Sequence, residues 1–244
     1  MKILLTSDTH RGFSRNTSRI HEKWAKTIEA IDFDVMILAG DLATAKQRQL
    51  EQALKFFRNV AGAKPIAAVL GNHDFWDISK PDLVYQHEQH IQWMNESGIH
   101  YLEESGLILD GVQFVGWDGW YDVCPDNSND FQWMPGWTQG ISTDEWMRKR
   151  SVHSFQRVIG EMEQAKTDFT PRAVVAVTHF PCVPSLTDQR YSGNPRWFQH
   201  IVERADILCM GHSHKRVDDL TLAGVRCFNA GSDYDKPASL VFEV

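Results

Sequence analysis

Short apolar runs punctuate the chain: Ile3–Ser7, Val35–Gly40, Ile66–Gly71, Ala173–Thr178 and Asp206–Gly211. Each is nearly continuous in its apolar character, as strands buried on both faces are. Between them the period changes. From Thr17 to Ile31, Ile20, Trp24, Ile28 and Ile31 recur at helical spacing and make one apolar face. Thr44 followed by Gln47 has the form of a capping box, and Leu50, Leu54, Phe57 and Val60 would line the helix behind it. A less regular helical pattern covers about Asp82 to Glu96. Another opens at Ser142, with Glu145 three residues on and a buried face of Val152, Phe155, Ile159 and Met162. The order strand, helix, strand, helix, strand predicts parallel βαβ units.

The tail reads differently. Asp219–Leu222, Val225–Phe228 and Leu240–Val244 look like short strands, with Ala223-Gly224 as a hairpin turn between the first two. A mixed sheet, or two packed sheets flanked by helices, accommodates both halves. No repeat, low-complexity tract or linker divides the chain, so residues 1–244 are expected to form one domain.

Composition narrows the choice of partner. The 244 residues carry a formal charge of −7 and are 42% hydrophobic. That balance permits a substantial core and argues against a surface built to grip nucleic acid through many phosphate contacts. Cys124, Cys182, Cys209 and Cys227 show no CxxC spacing and read as reduced, packed thiols. The first apolar run is too short for a signal-peptide core, and none reaches membrane-spanning length. The expected setting is cytoplasmic, without membrane association.

The chemistry lies where the apolar runs stop. The first leads into Asp8 and His10, the second into Asp41, and the third into Asn72, His73 and Asp74. The fourth leads into His179 and the fifth into His212 and His214. In open α/β sheets ligands bind at the carboxyl ends of strands, so these groups are expected to converge. Mixed carboxylate and imidazole donors suit Mn, Fe, Zn, Ni or Co better than an all-oxygen site suited to Mg or Ca. One carboxylate shared by two ions would hold them about 3.5–4 Å apart.

In order, Asp8-Thr9-His10, Gly40-Asp41, Gly71-Asn72-His73-Asp74, His179 and Gly211-His212-Ser213-His214 resemble the calcineurin-like metallophosphoesterase superfamily. Asn229-Ala230-Gly231-Ser232 is similar to the turn after the last metal motif in its smaller members. The resemblance implies an α/β fold, a four-layer αββα sandwich of two mixed β-sheets flanked by helices. It implies that Asp8, His10, Asp41 and His214 hold one divalent ion, and that Asp41, as bridge, with Asn72, His179 and His212 holds a second. Manganese is the first expectation, with iron, zinc, nickel or cobalt as alternatives. His73 would bind no ion; it would protonate the leaving oxygen or stabilise its charge while a hydroxide from a metal-acidified water attacks phosphorus.

One branch fits less well. Protein phosphatases of this superfamily carry an Asp and an Arg soon after the bridging motif and an Arg before Gly-Asn-His-Glu. Here Leu42-Ala43-Thr44 and Leu70 stand at those places, and no acid that would orient His73 is visible. The expected activity is hydrolysis of small phosphate mono- or diesters, nucleotide-like substrates among them. Nuclease or protein phosphatase action, and a non-catalytic scaffold of the same fold, are the alternatives.

Other residues keep two readings. Arg11 could meet the substrate phosphate or lie on the surface, and Asp74 could support a ligand or simply shape a turn. His87 and His90, one helical turn apart, read as a solvated face rather than a metal pair. Phe75 and Trp76, directly after the Asn-His-Asp motif, are expected near the substrate. The Trp-rich segment 117–146, with Trp117, Trp120, Tyr121, Phe131, Trp133, Trp137 and Trp146, is either a cap offering aromatic faces or a satellite core.

Overall fold

A computed structural model of the chain describes residues 1–44, 48–120, 130, 132–183 and 193–244. The first half runs β1 (Lys2–Thr6), α1 (Arg15–Glu29), β2 (Val35–Ala39), α2 (Gln49–Ala61), β3 (Ile66–Val69), α3 (Leu83–Glu96) and β4 (His100–Tyr101). Next come β5 (Leu107–Leu109), β6 (Val112–Trp117), a small hairpin of β7 (Trp137–Thr138) and β8 (Ile141–Ser142), and α4 (Thr143–Asp168). The rest is β9 (Ala173–Thr178), α5 (Pro195–Val202), β10 (Ile207–Met210), β11 (Val217–Leu222), β12 (Val225–Asn229) and β13 (Leu240–Glu243).

The strands form two large mixed sheets. One has the order β13-β1-β2-β3-β4, the other β11-β12-β10-β9-β6-β5. Within each, the central strands are parallel and the outer pairs β1/β13, β5/β6 and β11/β12 are antiparallel.

Alternation along the strands makes the layers. Ile3 and Leu5 of β1, Val35 and Ile37 of β2, and Val175 and Val177 of β9 point between the sheets, where they meet Phe114 and Phe228. Leu4, Met36 and Leu38 point the other way and pack beneath Ile28 of α1, Leu54 and Phe57 of α2 and Met94 of α3. Val174, Ala176, Leu208 and Met210 do the same beneath Phe155, Val158 and Met162 of α4 and Ile201 of α5. Three apolar seams thus separate four layers in the order helix, sheet, sheet, helix, as expected. A fully buried aromatic such as Phe114 makes a large contribution, and Phe114→Ala would cost about 3–5 kcal/mol.

Local signals explain most element boundaries. Ser14, Asp82 and Ser142 cap α1, α3 and α4, their side chains accepting from the backbone N–H three residues on. The Ala223-Gly224 turn has φ of 48° and 89°, the paired positive values of a tight hairpin. The capping box read at Thr44 lies partly outside the described residues. The helix begins at Gln49 with a left-handed Arg48 (φ 64°) as its N-cap and no side-chain cap, while Gln47 lies outside the described residues. Val152 is 41% exposed, because the face α4 buries passes through Ser151, Ser154, Phe155 and Val158.

Two histidines also depart from expectation. His90 is buried against Phe75 (ring centroids 4.7 Å apart). His87 accepts from Arg150 at 3.1 Å and donates to Glu104 at 2.8 Å. The helix face they share is therefore packed, not solvated.

Candidate metal centre

Five strand ends meet at one edge of the double sheet: β1, β2 and β3 from one sheet, β9 and β10 from the other. Their loops are laced together by backbone hydrogen bonds. Asp8 N donates to Gly40 O, His10 N to Asp41 O, and Gly211 N to His179 O, at 2.9–3.0 Å. Asp8, His10, Asp41, His212 and His214 all have φ between 43° and 62°. This conformation is costly for non-glycine residues and is held only where the surroundings impose it. It turns five functional side chains back toward the pocket. Gly71 meets a different demand, close approach: a Cβ there would lie 2.2 Å from Asp41 Oδ1 and 2.6 Å from His179 Nε2.

The converging donors form overlapping triads. Asp8, His10 and His214 each offer a ligand atom within 4.8 Å of the others, as do His10, Asp41 and His73, and Asp41, His179 and His212. Asp41 Oδ2 lies 3.5 Å from His179 Nε2, 3.8 Å from His10 Nε2 and 4.0 Å from His73 Nε2. Asp8 Oδ1 lies 3.6 Å from His214 Nε2. Three of the four are too long for hydrogen bonds, and the Asp41–His179 approach lies at the outer limit of one. Donors placed about 2.0–2.2 Å from a common ion would lie only slightly closer together. Asn72 Oδ1 joins the set at 3.2 Å from His179 Nε2. All seven expected ligands and His73 are therefore brought together.

Unpaired atoms and charge both fit a cation. Among the described residues, Asp8 Oδ2 and both ring nitrogens of His10 are buried without a hydrogen-bond partner, which is expensive unless a cation takes them. Burial holds the His10 imidazole down to about 3, against the pull of Asp41, so it is neutral, as a ligand must be. Burial pushes Asp8 up to about 6, with His179 opposing. Burial also disfavours charge on Asp41 and His179, but their mutual attraction overrides it. Asp41 is held well below the usual carboxylate range and His179 is pushed up to about 10. The charge balance around Asp8 and Asp41 thus favours a positive group in the pocket.

Several further residues support the ligands. Asp74 accepts from Ala43 N and Gly71 N at 2.9 Å and from Leu42 N at 3.3 Å, pinning the second loop to the third. Burial beside Asp41 pushes it up to about 7. Asn229 donates to Gly211 O and braces the last loop. His214 Nδ1 donates to Asp233. Asp118 accepts from Leu70 N at 2.9 Å and Tyr101 Oη at 2.8 Å, fixing the chain just before Gly71. Asp74 and Asn229 lie in motifs singled out in the sequence, whereas Asp118 and Asp233 are lone acids to which only tertiary placement gives a role.

The three tentative substrate residues part company. Trp76 stacks on His73 with ring centroids 3.6 Å apart, and Trp133 lies beyond it at 6.1 Å. Phe75 is buried against His90 and Trp120. Arg11 turns away to Glu22 (2.6 Å) and lies over the Phe56 ring. Tyr234, not anticipated, stacks on His10 at 4.2 Å and meets Phe13 at 4.7 Å. The Trp-rich segment divides between its two readings. Trp117 and Trp120 are core, Trp133 and Trp137 are 44% and 68% exposed, and Tyr121 and Phe131 lie outside the described residues.

The motifs lie within a match to the family model for calcineurin-like phosphoesterases that extends over residues 1–216. The chain belongs to the calcineurin-like phosphoesterase family. Membership makes it a metal-dependent hydrolase of phosphate esters, with a dinuclear centre. A dimetal phosphatase from Danio rerio shares the fold at a TM-score of 0.58 and 11% identity, over 97% of this chain and 88% of the other. A Thermus thermophilus protein matches at 0.57 and 11% identity, over 96% and 90%. The calcineurin-like phosphoesterase YfkN from Bacillus subtilis matches at 0.50 and 14% identity, over 100% and 85%. No curated protein sequence matches the chain. Among the described residues of this phosphoesterase, no helix is long and apolar enough to cross a membrane.

Proposed function

We propose that the chain hydrolyses small phosphate esters, nucleotide-like mono- or diesters among them, and that all 244 residues act as one domain. The observation that carries this reading is the position of Asp41, whose ligand atoms lie within 4.8 Å of those of His10 on one side and of His179 and His212 on the other. Asp8, His10, Asp41 and His214 would hold one divalent ion, and Asp41, Asn72, His179 and His212 the second. When bound, such ions supply Lewis-acid charge for the phosphate oxygens and acidify water. Manganese is our first choice; iron, zinc, nickel and cobalt suit the same mixed donor set.

The residues divide the remaining work. Two divalent ions against the carboxylates of Asp8 and Asp41 leave about two positive charges for an anionic substrate. His73 is held by its backbone N–H to Asp41 Oδ1 (2.9 Å) and by the Trp76 face. Burial lowers its pKa, and a neutral imidazole still carries one N–H to offer the leaving oxygen. Trp76 and Trp133 on one side, and Tyr234 and Phe13 on the other, give flat walls suited to an aryl group or a base. A net charge of −7 favours a small substrate over nucleic acid. The buried free thiols of Cys182, Cys209 and Cys227 suit a cytoplasmic setting.

A hydrolysis panel tests the proposal: nucleotides, cyclic nucleotides and aryl phosphates with Mn, Ni, Co, Zn and Mg. Metal-activated turnover of small esters is expected. Turnover confined to phosphoproteins or polynucleotides would contradict it.

A further inference from the structure

Asp130 lies in a stretch where the sequence shows no period, yet its side chain reaches the centre of the site. It is 8% exposed. Its Oδ1 accepts from Asn72 Nδ2 at 2.7 Å and from Trp76 Nε1 at 2.9 Å. We propose that Asp130 is a positioning residue that fixes the ligating oxygen of Asn72 and, through Trp76, the ring of His73. The proposal rests on the reading of Asn72 as a metal ligand given above.

The argument for Asn72 is one of hydrogen-bond type. The amide gives its NH2 to Asp130 Oδ1, and an amide that does so turns its oxygen to the opposite side. Its oxygen, the sole ligating atom, then faces His179 Nε2 at 3.2 Å. A neutral amide or hydroxyl at position 130 would be satisfied by either orientation, and half of those would turn nitrogen toward the ion.

Trp76 is the second arm. Its N–H is anchored on the same oxygen, and its ring then lies 3.6 Å from that of His73, tilted by 27°. His10 closes the other side, edge-on at 4.4 Å. His73 is thus gripped between a ligand ring and a tryptophan whose placement depends on Asp130.

The test is a calorimetric titration of the full chain with Mn2+ alone after chelator dialysis, accompanied by thermal melts. The wild type is expected to take up two ions. Asp130→Ala should weaken one of the two by about 10–100-fold, the usual effect of losing a group that orients a ligand, and leave the other unchanged. Asp130→Asn, which keeps an acceptor oxygen, should fall between. Trp76→Phe should leave both affinities at the wild-type level while lowering kcat on an aryl phosphate, because it cuts only the arm to His73. Wild-type affinities in Asp130→Ala would overturn the inference. So would wild-type affinities in Asp130→Asn if Asp130→Ala fails to fold, since that pattern marks a role in folding alone. A wild-type chain taking up fewer than two ions would instead overturn the site reading beneath it.

Discussion

His214 donates through Nδ1 to Oδ1 of Asp233 at 3.1 Å, while its Nε2 faces Asp8 at 3.6 Å. The hydrogen bond fixes the tautomer, so the nitrogen aimed at the pocket carries the lone pair. It also makes that nitrogen a stronger donor to a cation. Asp233→Ala should therefore weaken one metal affinity by about 10–100-fold. Its side chain is about half exposed, so the melting temperature should hardly move. Calorimetric titration with Mn2+ checks this, and unchanged affinity would count against the arrangement.

The shared position of Asp41 makes it unlike any other ligand. Asp41→Asn should lower uptake of both ions together, and activity by at least about 10²–10³-fold, the scale seen when one preorganised charge is lost. Asp8→Asn should affect mainly one ion. Metal content after gel filtration distinguishes the two patterns; loss of a single ion in Asp41→Asn would refute a bridging role.

His73→Ala should leave metal uptake intact and lower kcat by about 10²–10⁴-fold, the range for a positioned proton donor. The loss should shrink for leaving groups that need no proton, such as nitrophenolate. Steady-state kinetics across a series of aryl phosphates measures this. An equal loss for every leaving group would show that His73 does something else.

The aromatic walls bear on substrate choice. Removing one stacking face costs about 1–3 kcal/mol per base, so Trp76→Ala and Trp133→Ala should each raise KM for nucleotide-like substrates by about 5–150-fold. If KM is unchanged in both variants, bases do not stack there.

His21 and His90 should cost the fold stability in acid, opposite in sign to Asp8 and Asp74, whose raised carboxyls take up protons there. His21 is fully buried, and its pKa is lowered to about 4 by burial, with Arg11 adding to the effect. Burial likewise holds His90 well below the imidazole range. Unfolded, both titrate near 6.5. Between about pH 6.5 and 4 the unfolded chain binds more protons than the folded one, so stability present above pH 6.5 drains away as pH falls. The expected loss for His21 is about 2 kcal/mol at pH 5. Urea midpoints at pH 7.5 and 5.0 read it, and His21→Gln should flatten the difference. An identical slope in the variant would assign the acid sensitivity elsewhere.

The pattern of residues made some of this legible and hid the rest for physical reasons. Buried parallel strands must be apolar on both faces, so β1, β2, β3, β9 and β10 stood out, and their ends gave all seven candidate ligands. Strands β4, β5, β7 and β8, of two or three residues each, are too short to show a period. The helices were visible mainly from their apolar faces, with one true cap signal at Ser142, except α5, whose eight residues span barely two turns. The supports around the ligands were hidden more deeply. Asp118, Asp130 and Asp233 act across 48, 58 and 19 positions of sequence, and a lone acid has no local signature. Arg11 kept two readings because it adjoins His10 in sequence, and its side chain pairs with Glu22. The left-handed turn at His10 sends the next side chain toward α1 and α2.

The most direct test is anomalous diffraction from crystals of the wild-type protein grown with Mn2+. Two peaks about 3.5–4 Å apart are predicted, both contacting Asp41, one also bound by Asp8, His10 and His214 and the other by Asn72, His179 and His212. A single peak, or two peaks that share no residue, would contradict the account.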